Sequence, residues 1–205
     1  MTETRENPAR PEGKIGEKML KRMNKSHGPL RDFGLSQISW RPHMRILDVG
    51  CGGGATIREM LELSKDSVID GVDYSEVSVA QSRELNRDYL ENRCHICQGD
   101  AAELPFMENT YDLVTAVETI YFWPDPEKAL SEILRVLKPS GIFAVLNEGS
   151  DPDQCDWPAI DGFLRIYRPE ELKSLMEEAG FEEIKIYHGE GQMICVTGRK
   201  KGEER

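Results

Sequence analysis

Two hydrophobic periods divide this chain. From Lys14 the spacing is that of a helix, with Ile15, Met19, Leu20 and Met23 recurring on one face and Lys18, Lys21, Arg22 and Lys25 falling on others. His27, Gly28 and Pro29 are expected to end it with a cation in the last turn, a glycine able to turn left-handed and a residue that cannot continue a helix. A shorter helical piece is predicted over residues 30–38, closed by Arg41-Pro42. Short apolar runs then alternate with amphipathic stretches. The runs at 44–49, 68–72, 94–98, 111–117 and 142–146 read as strands, and helices are predicted over 55–63, 76–91, 126–137 and 169–179. The third of these helices is the clearest, with Asp125 to cap it, Pro126 at its first position and an apolar face of Ala129, Leu130, Ile133, Leu134 and Leu137. Lys138-Pro139-Ser140-Gly141 is its expected stop. Gly180 should cap the last helix and turn Phe181 back towards Met176, after which residues 181–187 and 193–199 form an antiparallel hairpin through 188–191.

Strand and helix in alternation predict an α/β fold, a Rossmann-like, doubly wound, mostly parallel sheet with ligands beyond the carboxyl ends of its strands. Residues 1–13, with Pro8, Pro11 and Gly13, read as a flexible leader, residues 14–42 as an N-terminal helical cap and residues 43–205 as the ligand-binding domain. At 205 residues the chain has about the length of one domain, roughly 100 to 200 residues. A mean hydropathy of −0.53, with no apolar run approaching the roughly 18 residues of a membrane span, argues against an integral membrane role. The start lacks the apolar run of a secretory signal, so a cytoplasmic location and reduced cysteines are expected. Charge is uneven. Residues 1–45 hold ten Lys/Arg against five Asp/Glu, and the rest sixteen against thirty-two. An acidic body repels a phosphate backbone, so nucleic acid is not an expected partner.

The strongest chemical signal is the run from Ile46 to Ala55, which leaves a strand, passes Asp48, Gly50, Cys51, Gly52, Gly53 and Gly54, and opens a helix. Its Gly50-x-Gly52-x-x-Ala55 spacing also fits a dinucleotide loop, and Asp73 suits ribose hydroxyls in either case. Asp48 separates the two. A carboxylate beside a pyrophosphate is unfavourable, whereas S-adenosylmethionine has no phosphate and carries a sulfonium and an ammonium.

Asp48-x-Gly50-x-Gly52-x-Gly54, Gly71-Val72-Asp73, Gly99-Asp100-Ala101 with Leu104-Pro105-Phe106, and Leu137-Lys138-Pro139-x-Gly141 together resemble the class I methyltransferases that use S-adenosylmethionine. The resemblance runs from about residue 40 to the C-terminus. It implies a seven-stranded sheet whose final strand inserts antiparallel between its neighbours. It also implies S-adenosyl-L-methionine as cofactor, with Gly50, Cys51 and Gly52 against the methionine part and Asp48 nearby. Asp73 would take the ribose hydroxyls, with Tyr74 beside it. Asp100 would accept from the adenine amino group, the Ala101 backbone would meet the ring, and Glu118 would lie beside the reacting methyl. Each residue also has a plainer use: Asp73 as a helix cap, Asp100 as a loop turn, Glu118 as a solvated carboxylate.

On the acceptor side, Glu118-Thr119-Ile120-Tyr121-Phe122-Trp123-Pro124 leaves the fourth core strand, and its three aromatics offer π faces or simply pack under the cap. This segment lacks the Asn/Asp-Pro-Pro-Tyr/Phe sequence of amino-directed DNA and protein glutamine methyltransferases. Together with residues 22–30 it resembles small microbial methyltransferases of unassigned substrate, in which N-terminal helices cover the site. Tyr121, Trp123 and His27 are therefore the candidates for the substrate pocket. His27 and Tyr121 are the candidates for chemistry, although a helix-capping or satisfied histidine is the plainer reading of His27 and in-line methyl transfer can proceed without a base. Cys94-x-x-Cys97 is not expected to bind metal, because residues three apart on a strand face opposite ways. No cysteine sits in a recognisable arsenic motif, and no metal is expected. The expected activity is methyl transfer to a small-molecule acceptor. The alternatives are a protein-modifying or partner-binding methyltransferase-like module and a dinucleotide oxidoreductase.

Overall fold

The structure, a computed structural model, describes residues 6–90, 92–155 and 164–202. Residues 1–5 of the expected leader and Glu91 of the second predicted core helix lie outside them. Seven strands form one sheet in the order β3-β2-β1-β4-β5-β7-β6. They are β1 (Arg45–Val49), β2 (Val68–Asp73), β3 (Cys94–Gln98), β4 (Tyr111–Val117), β5 (Leu137–Asn147), β6 (Phe181–His188) and β7 (Ile194–Lys200). The first five run parallel, and β7 is antiparallel to both β5 and β6, as the family resemblance implied. Strand order reverses beside β1, and that switch point opens a crevice at the carboxyl ends of β1 and β4.

Alternating side chains build two cores, because successive residues of a strand point to opposite faces. Leu47, Val114, Phe143 and Val145 pack with Leu130 and Ile133 of α5 (Pro126–Val136) and with Leu172 and Met176 of α6 (Pro169–Ala179). Ile46, Leu113, Ala144 and Leu146 pack on the other face, against α2 (Gly28–Ser36), α3 (Ala55–Leu63) and α4 (Glu76–Leu85). Cys94 belongs to the second core and Cys97 packs on the first, so the pair is split across the sheet. Asp125 caps α5 by accepting from the Lys128 amide at 2.9 Å, and Gly180 ends α6 at φ 100°.

Three sequence expectations are corrected. The helix predicted over 76–91 ends at Leu85, because buried Asn86 turns its amide to the Gly54 and Ser82 carbonyls, at 3.0 and 2.9 Å, and a 3₁₀ turn follows over Arg87–Tyr89. The helix predicted over 126–137 ends at Val136, before its expected stop, but residues 138–141 are not a loop: β5 begins at Leu137 instead of 142 and includes them. The ladder to β4 is irregular between Tyr111 and Leu113, the kind of place where a strand tolerates Pro139. Gly28 is not left-handed. It opens α2, with Pro29 in the first turn, where its missing N–H costs nothing, so only His27 separates α2 from α1 (Gly13–Ser26).

Candidate active site

A cavity of about 430 Å³ occupies the switch-point crevice. Its floor is the loop after β1, in which Gly50, Gly52 and Gly54 take φ of 73°, 51° and 81°, values open to glycine and strained for other residues. The Gly50 and Cys51 amides both donate to the Val72 carbonyl, at 2.8 and 3.1 Å, which ties the loop to the end of β2. A Cβ on Gly50 would stand 2.1 Å from Thr119 Oγ1.

Asp73, the last residue of β2, lines the cavity beside this loop. Its Oδ2 accepts from the Gly52 amide at 2.8 Å and its Oδ1 from the Ser75 amide at 2.9 Å, so the carboxylate is fixed before any ligand arrives. Ser75 caps α4 itself, accepting from the Ser78 amide, so the capping role considered for Asp73 falls mainly to its neighbour. Tyr74, Asp100 and Ala101 line the same end. Asp100 also makes a turn, Oδ1 accepting from the Ala102 amide at 2.8 Å.

Glu118 follows β4 at φ 55°, a strained position for a side-chain-bearing residue. Its Oε1 accepts from the Tyr121 hydroxyl at 3.0 Å and from the Glu148 amide at 2.5 Å, and burial pushes its carboxyl up to about 8. His27 also lines the cavity, with Nε2 3.9 Å from Glu148 Oε2. Burial, and after it the Arg31 charge, lower the imidazole to about 4, so His27 is neutral at neutral pH and its contact with Glu148 is not an ion pair.

Two candidates are displaced from the cavity wall. Asp48 is 1% exposed and does not line it; its Oδ1 accepts from the Thr115 hydroxyl at 2.6 Å inside the sheet. Its carboxyl is therefore turned onto Thr115 rather than facing a ligand. Tyr121 is also buried behind the wall, its hydroxyl donating to Glu118 and accepting from the Gly149 amide at 3.0 Å, while Phe122, Trp123 and Pro124 line the cavity. Tyr121 lies in a 3₁₀ turn over Ile120–Phe122 and Asp48 within β1, and no periodicity in the sequence reports which way either side chain faces.

Other lining residues carried no local signal. Residues 7–11, read as leader, line the cavity, with Ser75 Oγ donating to the Pro11 carbonyl at 2.6 Å and the Arg10 guanidinium 5.1 Å from the centre of the Tyr74 ring. Asn24 of α1 donates to the Gly53 carbonyl at 3.0 Å. Arg31 of α2, 6% exposed, pairs with Glu59 at 2.8 Å and donates to the Asn24 carbonyl at 2.8 Å. The N-terminal helices therefore form one wall of the cavity.

Buried Asp48 makes a testable contribution to stability. Burial, opposed by the Thr115 hydrogen bond, raises its carboxyl from 3.8 to about 7. Below about pH 4 both folded and unfolded chains hold the proton. Between about pH 4 and 7 only the folded chain does, so stability falls as pH rises through this window, by of order 4 kcal/mol at most. Asp48→Asn keeps the oxygen that accepts from Thr115 and removes the titration. Urea denaturation should show the variant gaining on the native chain from pH 4 to pH 8, and a pH-independent difference would refute this.

A family model described as a methyltransferase domain matches residues 47–145. The chain is 33% identical over 160 residues to cycloartenol-C-24-methyltransferase of Arabidopsis thaliana, covering 72% of this chain and 47% of that protein. It is 30% identical over 149 residues to the sterol 24-C-methyltransferase of Saccharomyces cerevisiae, covering 67% and 39%. The chain thus spans less than half the length of these relatives. A S-adenosylmethionine-dependent methyltransferase from Aquifex aeolicus superposes with TM-score 0.77 at 19% identity, over 90% of this chain and 98% of that one. Human N-acetylserotonin methyltransferase in complex with S-adenosylmethionine gives 0.73 at 18%, over 91% and 56%. The domain match and the fold agree with the four motifs, and the chain belongs to the class I S-adenosylmethionine-dependent methyltransferase family.

Proposed function

We propose that the protein transfers a methyl group from S-adenosylmethionine to a small-molecule acceptor held between the glycine loop and the N-terminal helices. The observation that carries this reading is one cavity lined by Asp73, Asp100 and the glycine loop and also by His27, Glu118 and Trp123, of which His27 and Glu118 approach each other. The residues suit the cofactor. Among the described residues Gly52 has only Leu20 Cδ2 near its missing Cβ, at 3.8 Å, which leaves its backbone open to close approach, and the Asp73 carboxylate is already fixed beside it. When bound, the cofactor supplies a methyl group on a sulfonium with a neutral thioether as leaving group.

In this reading Asp73 accepts from the ribose hydroxyls and Asp100 from the adenine amino group, with Tyr74 and Ala101 beside them. Gly50, Cys51 and Gly52 face the methionine part. Asp48 bonds to Thr115 instead of touching the ligand. Tyr121 orients Glu118, and Trp123 and Phe122 exclude water where the acceptor enters. Positioning and dryness can supply most of the acceleration of an in-line displacement. An acidic chain favours a small acceptor over nucleic acid, and among the described residues no helix is long and apolar enough to cross a membrane.

Calorimetry with S-adenosylhomocysteine tests the reading. The native chain should bind it and ignore NAD. Asn24→Ala, which cuts the hydrogen bond from α1 to the glycine loop, should weaken binding by about 1 kcal/mol. Tight NAD binding would favour an oxidoreductase, and unchanged affinity in Asn24→Ala would remove α1 from the site.

A further inference from the structure

At the cavity, three side chains from separate parts of the fold converge. His27 stands at the junction of α1 and α2, Glu118 follows β4, and Glu148 follows β5. One potential ligand atom from each lies within 4.8 Å of the other two, and all three residues are partly buried. The neighbouring strand register produces this meeting. β4 and β5 run parallel with Val117 opposite Leu146, so the residues just beyond them emerge side by side.

The cluster contains two carboxylates and an imidazole without a cationic side chain bonded to either carboxylate among the described residues. Arg31, whose charge reaches His27 and Glu148, is bonded to Glu59 and the Asn24 carbonyl. Glu118 is also held as ligating carboxylates are, its Oε1 fixed by the Tyr121 hydroxyl and the Glu148 amide. Outer hydrogen bonds of this kind orient a ligand for a metal.

We propose that His27, Glu118 and Glu148 form a divalent metal site facing the cavity. One nitrogen and two carboxylate oxygens suit a first-row transition ion such as zinc, manganese or cobalt better than calcium or magnesium, which favour all-oxygen sites. Three protein ligands leave positions open to the cavity. Resting on the methyl-transfer reading, this narrows the acceptor to a small molecule that offers a metal-binding oxygen or nitrogen. It also gives Tyr121 a positioning role and replaces the earlier expectation of no metal.

The test is cobalt(II) titration of the full chain, with and without S-adenosylhomocysteine, followed by visible absorption. The expected result is saturable binding of one ion with d–d bands and no thiolate charge-transfer band. Loss of outer-shell partners alone commonly costs about 10- to 100-fold in metal affinity, so His27→Gln and Glu148→Gln, which each remove a ligand, should cost at least about 10-fold while product binding persists. In the native chain, manganese(II) should broaden the ring-proton resonances of His27 more than those of His43, His95 and His188. That comparison decides the matter even if a variant fails to fold. No saturable cobalt binding, a thiolate band, equal affinity in both folded variants, or broadening that spares His27 would each overturn the site. If product binding survives any of these outcomes, the metal site alone is lost; its absence in the native chain would instead sink the methyl-transfer reading.

Discussion

Asp73→Ala is expected to weaken binding of S-adenosylhomocysteine by about 2 to 4 kcal/mol. A hydrogen bond to a charged group is worth roughly 1.5 to 3 kcal/mol, and two such bonds to one ribose add imperfectly. In dissociation constant this is roughly 30- to 700-fold. The carboxylate has a second duty, since Oδ2 holds the Gly52 amide and Oδ1 the Ser75 amide. Truncation therefore leaves two amide donors without their partner and loosens the loop that faces the methionine part. Asp73→Asn separates the two effects: its one oxygen keeps the Gly52 contact while the charge on the ribose hydroxyls is gone. Calorimetry on both variants, beside thermal denaturation, gives the comparison. A folded Asp73→Ala protein with unchanged affinity would rule out Asp73 as the ribose anchor.

Gly50→Ala should be among the most damaging single substitutions in the site. The added methyl would lie 2.1 Å from Thr119 Oγ1 and 2.7 Å from Thr119 Cβ, and the backbone is held at φ 73°. A left-handed conformation costs an L-residue roughly 1 to 2 kcal/mol, and forced overpacking about 1 to 3 kcal/mol. Their sum, about 2 to 5 kcal/mol, approaches the low end of a domain's whole stability. Gly53→Ala is the control. Its φ is ordinary, and the nearest atoms belong to the Asn24 side chain, which can move. Combining Gly50→Ala with Thr119→Gly should relieve the clash and leave the dihedral cost. Urea denaturation of the four proteins resolves the parts, and full recovery in the double variant would refute the conformational share.

The sequence carried the class of fold, the glycine loop and the cofactor because these are written in local signals. Alternating strands and helices, the Asp125-Pro126 start of α5, the Gly180 cap and the glycine loop each depend on residues within a few positions of one another. Asp73 and Asp100 sit at strand ends, where a parallel sheet must deliver ligand-facing groups. What stayed hidden depends on distant packing. Asp48 and Tyr121 look as exposed to a ligand as Asp73 and Trp123, yet the course of the backbone turns them onto Thr115 and Glu118 behind the wall. The break of α4 at Asn86 comes from a buried amide satisfying the Gly54 carbonyl 32 residues away. Residues 7–11 become a wall through distant contacts, Ser75 donating to the Pro11 carbonyl and Arg10 lying over Tyr74. Glu148 had no motif at all, and it meets Glu118 and His27 because β4 and β5 end in register and the α1–α2 junction packs over them. Period and propensity report the neighbourhood along the chain, whereas the direction of a side chain at a strand end, and what faces it, follow from register and packing set by the whole domain.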